Sequence, residues 1–107
     1  MKPTSDNVKT ALRLELDFTE HDEFITRLIK QAHRSIERNY YCRLLETEQE
    51  LAEIPDIQRA FLIDDDIELA IQMMAAHWYL NPTGMSSETP SDIGVSYLLF
   101  PLEEHTV

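Results

Sequence analysis

Cationic side chains are missing from nearly half of this chain of 107 residues. The last lysine or arginine is Arg59, and beyond it lie eight of the twenty carboxylates. The first 59 residues hold all nine cations with the other twelve carboxylates, so most of the formal net charge of -11 belongs to the second part. Such an uneven charge favours contact with the opposite pole of another molecule or another copy. Between copies the contact runs head to tail and closes into rings or continues as filaments. The alternative is an acidic soluble protein with an uneven tail.

Cysteine, glycine and long apolar runs are also scarce. Cys42 stands alone, which excludes an internal disulfide and a four-thiolate metal site and fits a reducing cytosol. Two glycines and five prolines argue against an all-β fold, because such folds need many turns. No apolar run approaches membrane-spanning length, and no apolar core follows Lys2 to form a secretory signal. We therefore expect a soluble chain that stays where it is made, makes no membrane contact and binds nucleic acid poorly because of its negative charge.

The first long helix is indicated by apolar residues that recur every three or four positions between Ile25 and Tyr40. Thr19 and Asp22 have the spacing of a capping box, and acidic residues near them suit the positive end of the helix dipole. A helix of one or two turns is predicted before it, with Ser5 as its cap. Between the two helices, alternating apolar and acidic residues predict a short extended connection that buries Leu14, Leu16 and Phe18.

The second long helix spans Ile67 to Leu80, and its apolar side chains cover nearly its whole circumference. Such a helix is either the central helix of a core or is covered by a neighbouring subunit. Asp65 and Glu68 are predicted to form its capping box, which explains the acidic run from Asp64 to Asp66 better than a cation site does. The turn residues 81–84 end this helix.

Less regular segments surround these helices. Residues 41–63 are too apolar for a solvent loop, and we interpret them as a mixed segment with a helical turn or two that Pro55 ends. Residues 85–90 are expected to form a mobile polar loop, and Ser91 is expected to cap a last short helix from Ile93 to Phe100. The sequence thus predicts an all-α fold in one small domain over residues 1–107, with two long helices, two or three short ones, and mobile ends.

A row of cations lies along one face of the first long helix, away from its apolar face. It consists of Arg27, Lys30, Arg34 and Arg38. The row could meet the acidic part of a neighbouring subunit, line a channel that holds DNA, or form a solvated face with local ion pairs such as Glu23 to Arg27.

Candidate catalytic and metal-binding groups are few. His33 and Glu37 share a helix face, as do Met73 and His77, but a zinc site needs further ligands, and neither an HExxH motif nor paired cysteines occur. His77 is expected to be a core or interface histidine with one hydrogen bond. Because no phosphate-binding glycine loop and no nucleophile elbow are present, we expect no enzyme activity, no metal and no cofactor.

Three segments carry motifs of a known family. They are Val8-Lys9 with Leu12-Arg13-Leu14-Glu15 and Asp22-Glu23, then Ile67 to Asn81 with its closing Trp78-Tyr79-Leu80-Asn81, and Pro90 to Pro101 with Leu98-Leu99-Phe100-Pro101. In this order and at this chain length, they resemble the small phage head-tail connector proteins of the QLRG-type DNA packaging family. The resemblance implies a closed ring of many copies beneath the portal protein, contacts with tail-side connector proteins, and a channel that DNA traverses without sequence-specific contacts. It implies no chemistry, and it places the protein in the host cytoplasm during assembly and then in the virion.

Two hypotheses of different classes remain. The first is a head-tail connector that works through its surfaces, and the second is a small acidic regulator that binds a basic partner or imitates DNA with its carboxylates. Mass in solution separates them, because a regulator would be a monomer or dimer, whereas a connector would form large rings or remain monomeric until it docks on its portal. Trp78 and Tyr79 are of residue types found at anchoring contacts, but they suit a core equally well. The candidates for subunit or partner contacts are Arg27, Lys30, Arg34, Arg38, Trp78, Tyr79, Leu98, Leu99 and Phe100.

Overall fold

Two long helices dominate the part of the chain that the computed structural model describes, which comprises residues 3–53, 59–84 and 88–102. In chain order, the elements are α1 (Ser5–Ala11), α2 (Asp22–Tyr40), β1 (Arg43–Leu45), α3 (Glu48–Ala52), β2 (Ala60–Leu62), α4 (Asp65–Leu80) and α5 (Pro90–Ile93), with 3₁₀ helices at Pro82–Gly84 and Ser96–Leu102. The mostly helical fold and both long helices are therefore confirmed, because strong helical periodicity over many residues is a dependable signal.

Helices α2 and α4 run antiparallel. At one end of the pair, Nδ1 of His21 lies 2.6 Å from Oη of Tyr79, and the Phe24 ring packs near the same tyrosine. At the other end, α2 leads into β1, and the neighbouring strand β2 leads into α4. Helices α2 and α4 pack against each other through buried residues of one apolar cluster, and the exposed side of each helix lies away from that cluster. The buried residues of the pair are Ile25, Leu28, Ile29, Ala32, Ser35, Ile36, Ile67, Ala70, Ile71, Met74, Ala75 and Trp78.

A small parallel sheet joins the two long helices, and the sequence did not predict it. Strands β1 and β2 pair in parallel, with Leu44 opposite Phe61. Helix α3 lies in the crossover between them and matches the helical turns expected near Glu50. The crossover also includes residues 54–58, with Pro55, which lie outside the described residues. Strands of three residues are too short to show a period of two, so the prediction of a mixed segment could not resolve them.

Both helix starts in the first part of the chain differ from the sequence prediction. Helix α1 is capped by Thr4 rather than Ser5, in a capping box with Asn7. Helix α2 begins after His21, which makes no side-chain capping hydrogen bond, so the predicted cap at Thr19 is wrong. Cap spacing alone did not locate these ends, because tertiary contacts decide where the chain turns into the helix.

The last short helix is also different from the prediction. Instead of one helix from Ile93 to Phe100 capped by Ser91, helix α5 ends at Ile93 and a 3₁₀ helix follows. Gly94 separates them with φ of 91°, a conformation that favours glycine. The cap of α5 is Thr89, whose Oγ1 accepts from the backbone N–H of Asp92 at 3.2 Å, while Oδ2 of Asp92 accepts from the N–H of Thr89 at 2.9 Å. These hydrogen bonds lower the pKa of Asp92.

A buried lysine organises the connection between α1 and α2. The Lys9 side chain is only 1% exposed, and its Nζ donates to the backbone carbonyls of Leu16 at 3.1 Å and Phe18 at 3.0 Å. Its Nζ also lies 2.7 Å from Oδ1 of Asp22, and this hydrogen bond raises the pKa of Lys9. The connection therefore wraps around an ammonium group rather than forming a half-buried strand. Leu16 is 57% exposed, so the prediction that it is buried is wrong.

Only part of the loop expected to be mobile belongs to the described structure. Residues 85–87 lie outside it, whereas Glu88, Thr89 and Pro90 belong to it. Both carboxylate oxygens of Glu88 lie 3.1 Å from Nε2 of His77 on α4. Among the residues with a described structure, no helix combines the length and the apolar character that crossing a membrane requires.

Candidate functional site

The outer face of α2 is basic. Arg27, Lys30, Arg34 and Arg38 are all exposed there, and we call these four residues the basic row. Nη2 of Arg27 lies 3.7 Å from Oε1 of Glu23, but both side chains are mostly exposed, so this pair contributes little to stability. Lys30, Arg34 and Arg38 form no ion pair with any residue in the described ranges. The basic row thus presents three cations whose charge no ion pair compensates within the described residues.

The outer face of α4 is apolar. Leu69 is 41% exposed, Met73 is 37% exposed and Leu80 is 67% exposed, while Ala76 is partly buried between them. Their spacing of four, three and four places them along one line of the helix, and we call these four residues the outer strip. The strip lies opposite the buried face that contains Ile71. The apolar circumference predicted for this helix therefore reflects two faces, one fully buried and one that is partly exposed in the described part of the chain.

Exposed aspartates stand at the N-terminal end of the outer strip. Oδ1 of Asp64 accepts from the backbone N–H of Ile67 at 2.9 Å, so Asp64 is the cap and the predicted capping box of Asp65 and Glu68 is wrong. Asp65 and Asp66 are exposed and form no ion pair within the described residues. At 100° per residue they flank the line that continues the strip. Their negative charge also favours the positive end of the α4 dipole.

Two of the predicted contact residues are part of the core of the subunit. Trp78 and Leu99 are both 0% exposed and belong to the main apolar cluster. This burial is the core alternative that the sequence left open for Trp78. Tyr79 and Leu98 are partly buried and pack against that cluster. The side chain of Phe100 lies outside the described part of the structure.

His33 and His77 each pair with a glutamate. Nε2 of His33 lies 3.4 Å from Oε2 of Glu37, and the same carboxylate oxygen accepts from the backbone N–H of Leu44. His77 pairs with Glu88, a partner in a separate segment that helical spacing does not reveal. Within the described ranges, no group of three histidine, cysteine or acidic residues is arranged to hold a metal ion.

Two further residues near the end of α2 were missed by sequence reasoning. The guanidinium of Arg59 donates to the backbone carbonyls of Tyr40 and Leu102 and lies 5.4 Å from the centre of the Phe61 ring. The last cation of the sequence therefore joins three parts of the fold. Tyr41, which follows α2, is 78% exposed and adopts a left-handed conformation with φ of 52°. Neither property has a periodic signal in the sequence.

These two faces define a class of protein. The subunit is small and mostly helical, and its distinctive exposed features are a basic face and an apolar face on opposite sides. A protein of this kind acts as a structural component that makes contacts with other molecules.

Comparison with known families identifies the family of this chain. The family model for phage gp6-like head-tail connector proteins matches residues 4–106, and the chain belongs to this family. It is a structural protein of the phage head-tail connector. The match confirms the family resemblance, extends it through the middle segment, and gives no support to the alternative of an acidic regulator. Comparisons with curated proteins and with solved structures found no match.

Proposed function

We propose that copies of this chain assemble head to tail into a closed ring beneath the portal protein and complete the DNA-filled head. The family match over residues 4–106 is the observation that carries this proposal. The placement of the basic row and the outer strip on opposite sides of the subunit supports it, because a head-to-tail contact joins two different surfaces of the same chain. A rotation that closes this contact produces a ring rather than a filament.

The ring surrounds a channel through which DNA passes without sequence-specific contacts. A net charge of -11 disfavours tight binding to phosphates, which suits a wall past which DNA must slide. Base-specific recognition needs side chains that enter a groove and face a fixed base pair. DNA that moves through the channel does not hold any base pair at a fixed position relative to the protein.

The work of the protein is done by contact surfaces, without catalysis and without a cofactor. We propose that the portal protein covers one face of the ring and that tail-side connector proteins cover the other. Assembly takes place in the host cytoplasm, and the protein remains in the virion. We propose that residues 1–107 form one domain.

The test is the mass and shape of the purified protein, alone and with portal-bearing heads. Native mass spectrometry and negative-stain electron microscopy should show closed rings, either in solution or only after heads are added. Deletion of the gene should give heads that fail to join tails, and expression from a plasmid should restore joining. A protein that stays monomeric or dimeric and does not bind portal-bearing heads would contradict the connector proposal.

A further inference from the structure

Part of the exposed apolar surface of the described chain lies along one line of α4. Six large hydrophobic residues are exposed in the described part of the chain, and three of them, Leu69, Met73 and Leu80, lie on the outer strip. Single exposed hydrophobic residues are ordinary. Exposure of several of them along one line of a helix costs free energy unless another surface covers them. The strip therefore indicates an interface.

The charges around the strip indicate what covers it. Asp65 and Asp66 stand at its N-terminal end with no ion-pair partner among the described residues, so the preferred occupant is apolar along its length and cationic at one end. Arginine and lysine side chains meet this requirement, because their aliphatic stems cover apolar surface while their charged ends reach beyond it. The chain carries such a surface itself, in Lys30, Arg34 and Arg38 of the basic row, which form no ion pair in the part of the chain that the structure describes.

The two surfaces also have the same length, and they face away from each other on the chain. Arg27 to Arg38 and Leu69 to Leu80 both cover eleven residue steps, or about 16 Å of helix at 1.5 Å per residue. Since α2 and α4 pack through their buried faces, the two surfaces point away from each other. One copy cannot close this contact on itself, but a series of copies can repeat it. A two-fold contact between two strips would instead leave the basic row uncompensated and would stop at a dimer.

We infer that the outer strip of α4 in one copy receives the basic row of α2 from the next copy, with Arg34 and Arg38 near Asp65 and Asp66. This inference rests on the proposed ring and names the two faces that form its subunit contact. It assigns the basic row to a neighbouring subunit rather than to DNA. Burial of the strip supplies the apolar part of the contact, and the aspartates set its direction.

Cysteine crosslinking tests which faces meet. The variant with both Arg34→Cys and Met73→Cys is treated with a short bismaleimide, and the native Cys42 is buried and should not react. We expect a ladder of dimers, trimers and larger species, because each copy then links to two neighbours. Each single variant should give no ladder, and their equimolar mixture should stop at crosslinked dimers. The matched control, Arg34→Cys with Leu16→Cys, uses an exposed leucine that is not part of the outer strip and should remain uncrosslinked.

Two crosslinking patterns would overturn the assignment of these faces, as would the absence of a ladder from rings. One is a ladder of equal yield from the Leu16→Cys control, which would show unspecific contact. The other is efficient dimer formation by Met73→Cys alone, which would show a two-fold contact between strips. If rings are seen in the microscope but the double variant gives no ladder, the proposed ring stands and this inference fails. If the wild type does not assemble even with portal-bearing heads, the proposed function itself fails.

Charge exchange tests the direction of the contact. Arg34→Glu with Arg38→Glu should abolish assembly, as should Asp65→Lys with Asp66→Lys, while circular dichroism shows unchanged helicity. An equimolar mixture of these two variants should assemble, because alternating copies place opposite charges at every junction. The control Arg13→Glu with Arg43→Glu makes the same change of net charge at exposed sites off the basic row and should assemble normally.

Each outcome of the charge-exchange experiment supports or overturns the inference. Normal rings from the Arg34→Glu and Arg38→Glu variant, with weaker binding of a duplex DNA oligonucleotide, would assign the basic row to DNA and overturn the inference. Loss of assembly in the Arg13→Glu and Arg43→Glu control would attribute the effect to general repulsion and overturn it as well. Recovery in the mixture, without recovery in either variant alone, is the result that supports it.

Discussion

The closing 3₁₀ helix offers a direct test of the fold, because two adjacent leucines have different environments. Leu99 is 0% exposed and lies in the main apolar cluster, whereas Leu98 is only partly buried against it. Replacement of Leu99 by alanine is therefore expected to cost more stability than replacement of Leu98.

The size of the effect follows from burial. Replacing a fully buried leucine by alanine removes apolar atoms and leaves a cavity, which costs about 2 to 5 kcal/mol. A domain of this size has about 5 to 15 kcal/mol of stability in total, so Leu99→Ala removes a large part of it. A loss of about 3 kcal/mol corresponds to a fall in Tm of roughly 12 to 24 °C. Leu98→Ala should cost only about 1 kcal/mol, because part of the side chain is in water in the folded state as well.

The assay is thermal and urea denaturation, followed by circular dichroism at a protein concentration where each variant is monomeric. This condition matters because assembly raises apparent stability by mass action. Equal losses for the two variants, or a loss below about 1 kcal/mol for Leu99→Ala, would refute the assignment of Leu99 to the core. If Leu98→Ala keeps its stability but fails to assemble, Leu98 belongs to a subunit contact instead.

Three further predictions concern single side chains. Lys9→Met should lower Tm and expose residues 12–21 to proteolysis, because two carbonyls and Asp22 lose their partner. Lys9→Arg, as a control for charge, should lower Tm less if the guanidinium reaches the same groups. Burial raises the pKa of Cys42 to about 11, so the unfolded chain ionises first and the free energy of unfolding should fall between about pH 9 and pH 11, a fall that should be smaller in Cys42→Ala. Tyr41→Gly should raise stability by about 1 kcal/mol, since glycine adopts a left-handed φ freely, and an unchanged or lower Tm would show that the tyrosine ring makes a compensating contact.

A contact surface could be predicted from the sequence only where all its residues lie at helical spacing on one helix and differ in chemical type from the core. The basic row could be read directly, because residues three and four apart share a helix face. The outer strip could not be separated from the core in the same way, since both are apolar residues of α4. Which side of α4 is covered depends on the position of α2, and that position is not encoded in the local spacing.

The sequence by itself determined the family, the mostly helical fold, the two long helices and the uneven charge, because these depend on motifs, local periodicity and composition. Only the tertiary structure decided that Lys9 is buried, that Arg59 joins α2 to the closing 3₁₀ helix, that Leu99 rather than Leu98 is in the core, and that three-residue strands pair in parallel. Each of these depends on groups that are distant in sequence and meet only when the chain folds. Burial and hydrogen bonding arise from contacts between these distant groups, so no local pattern could have specified them.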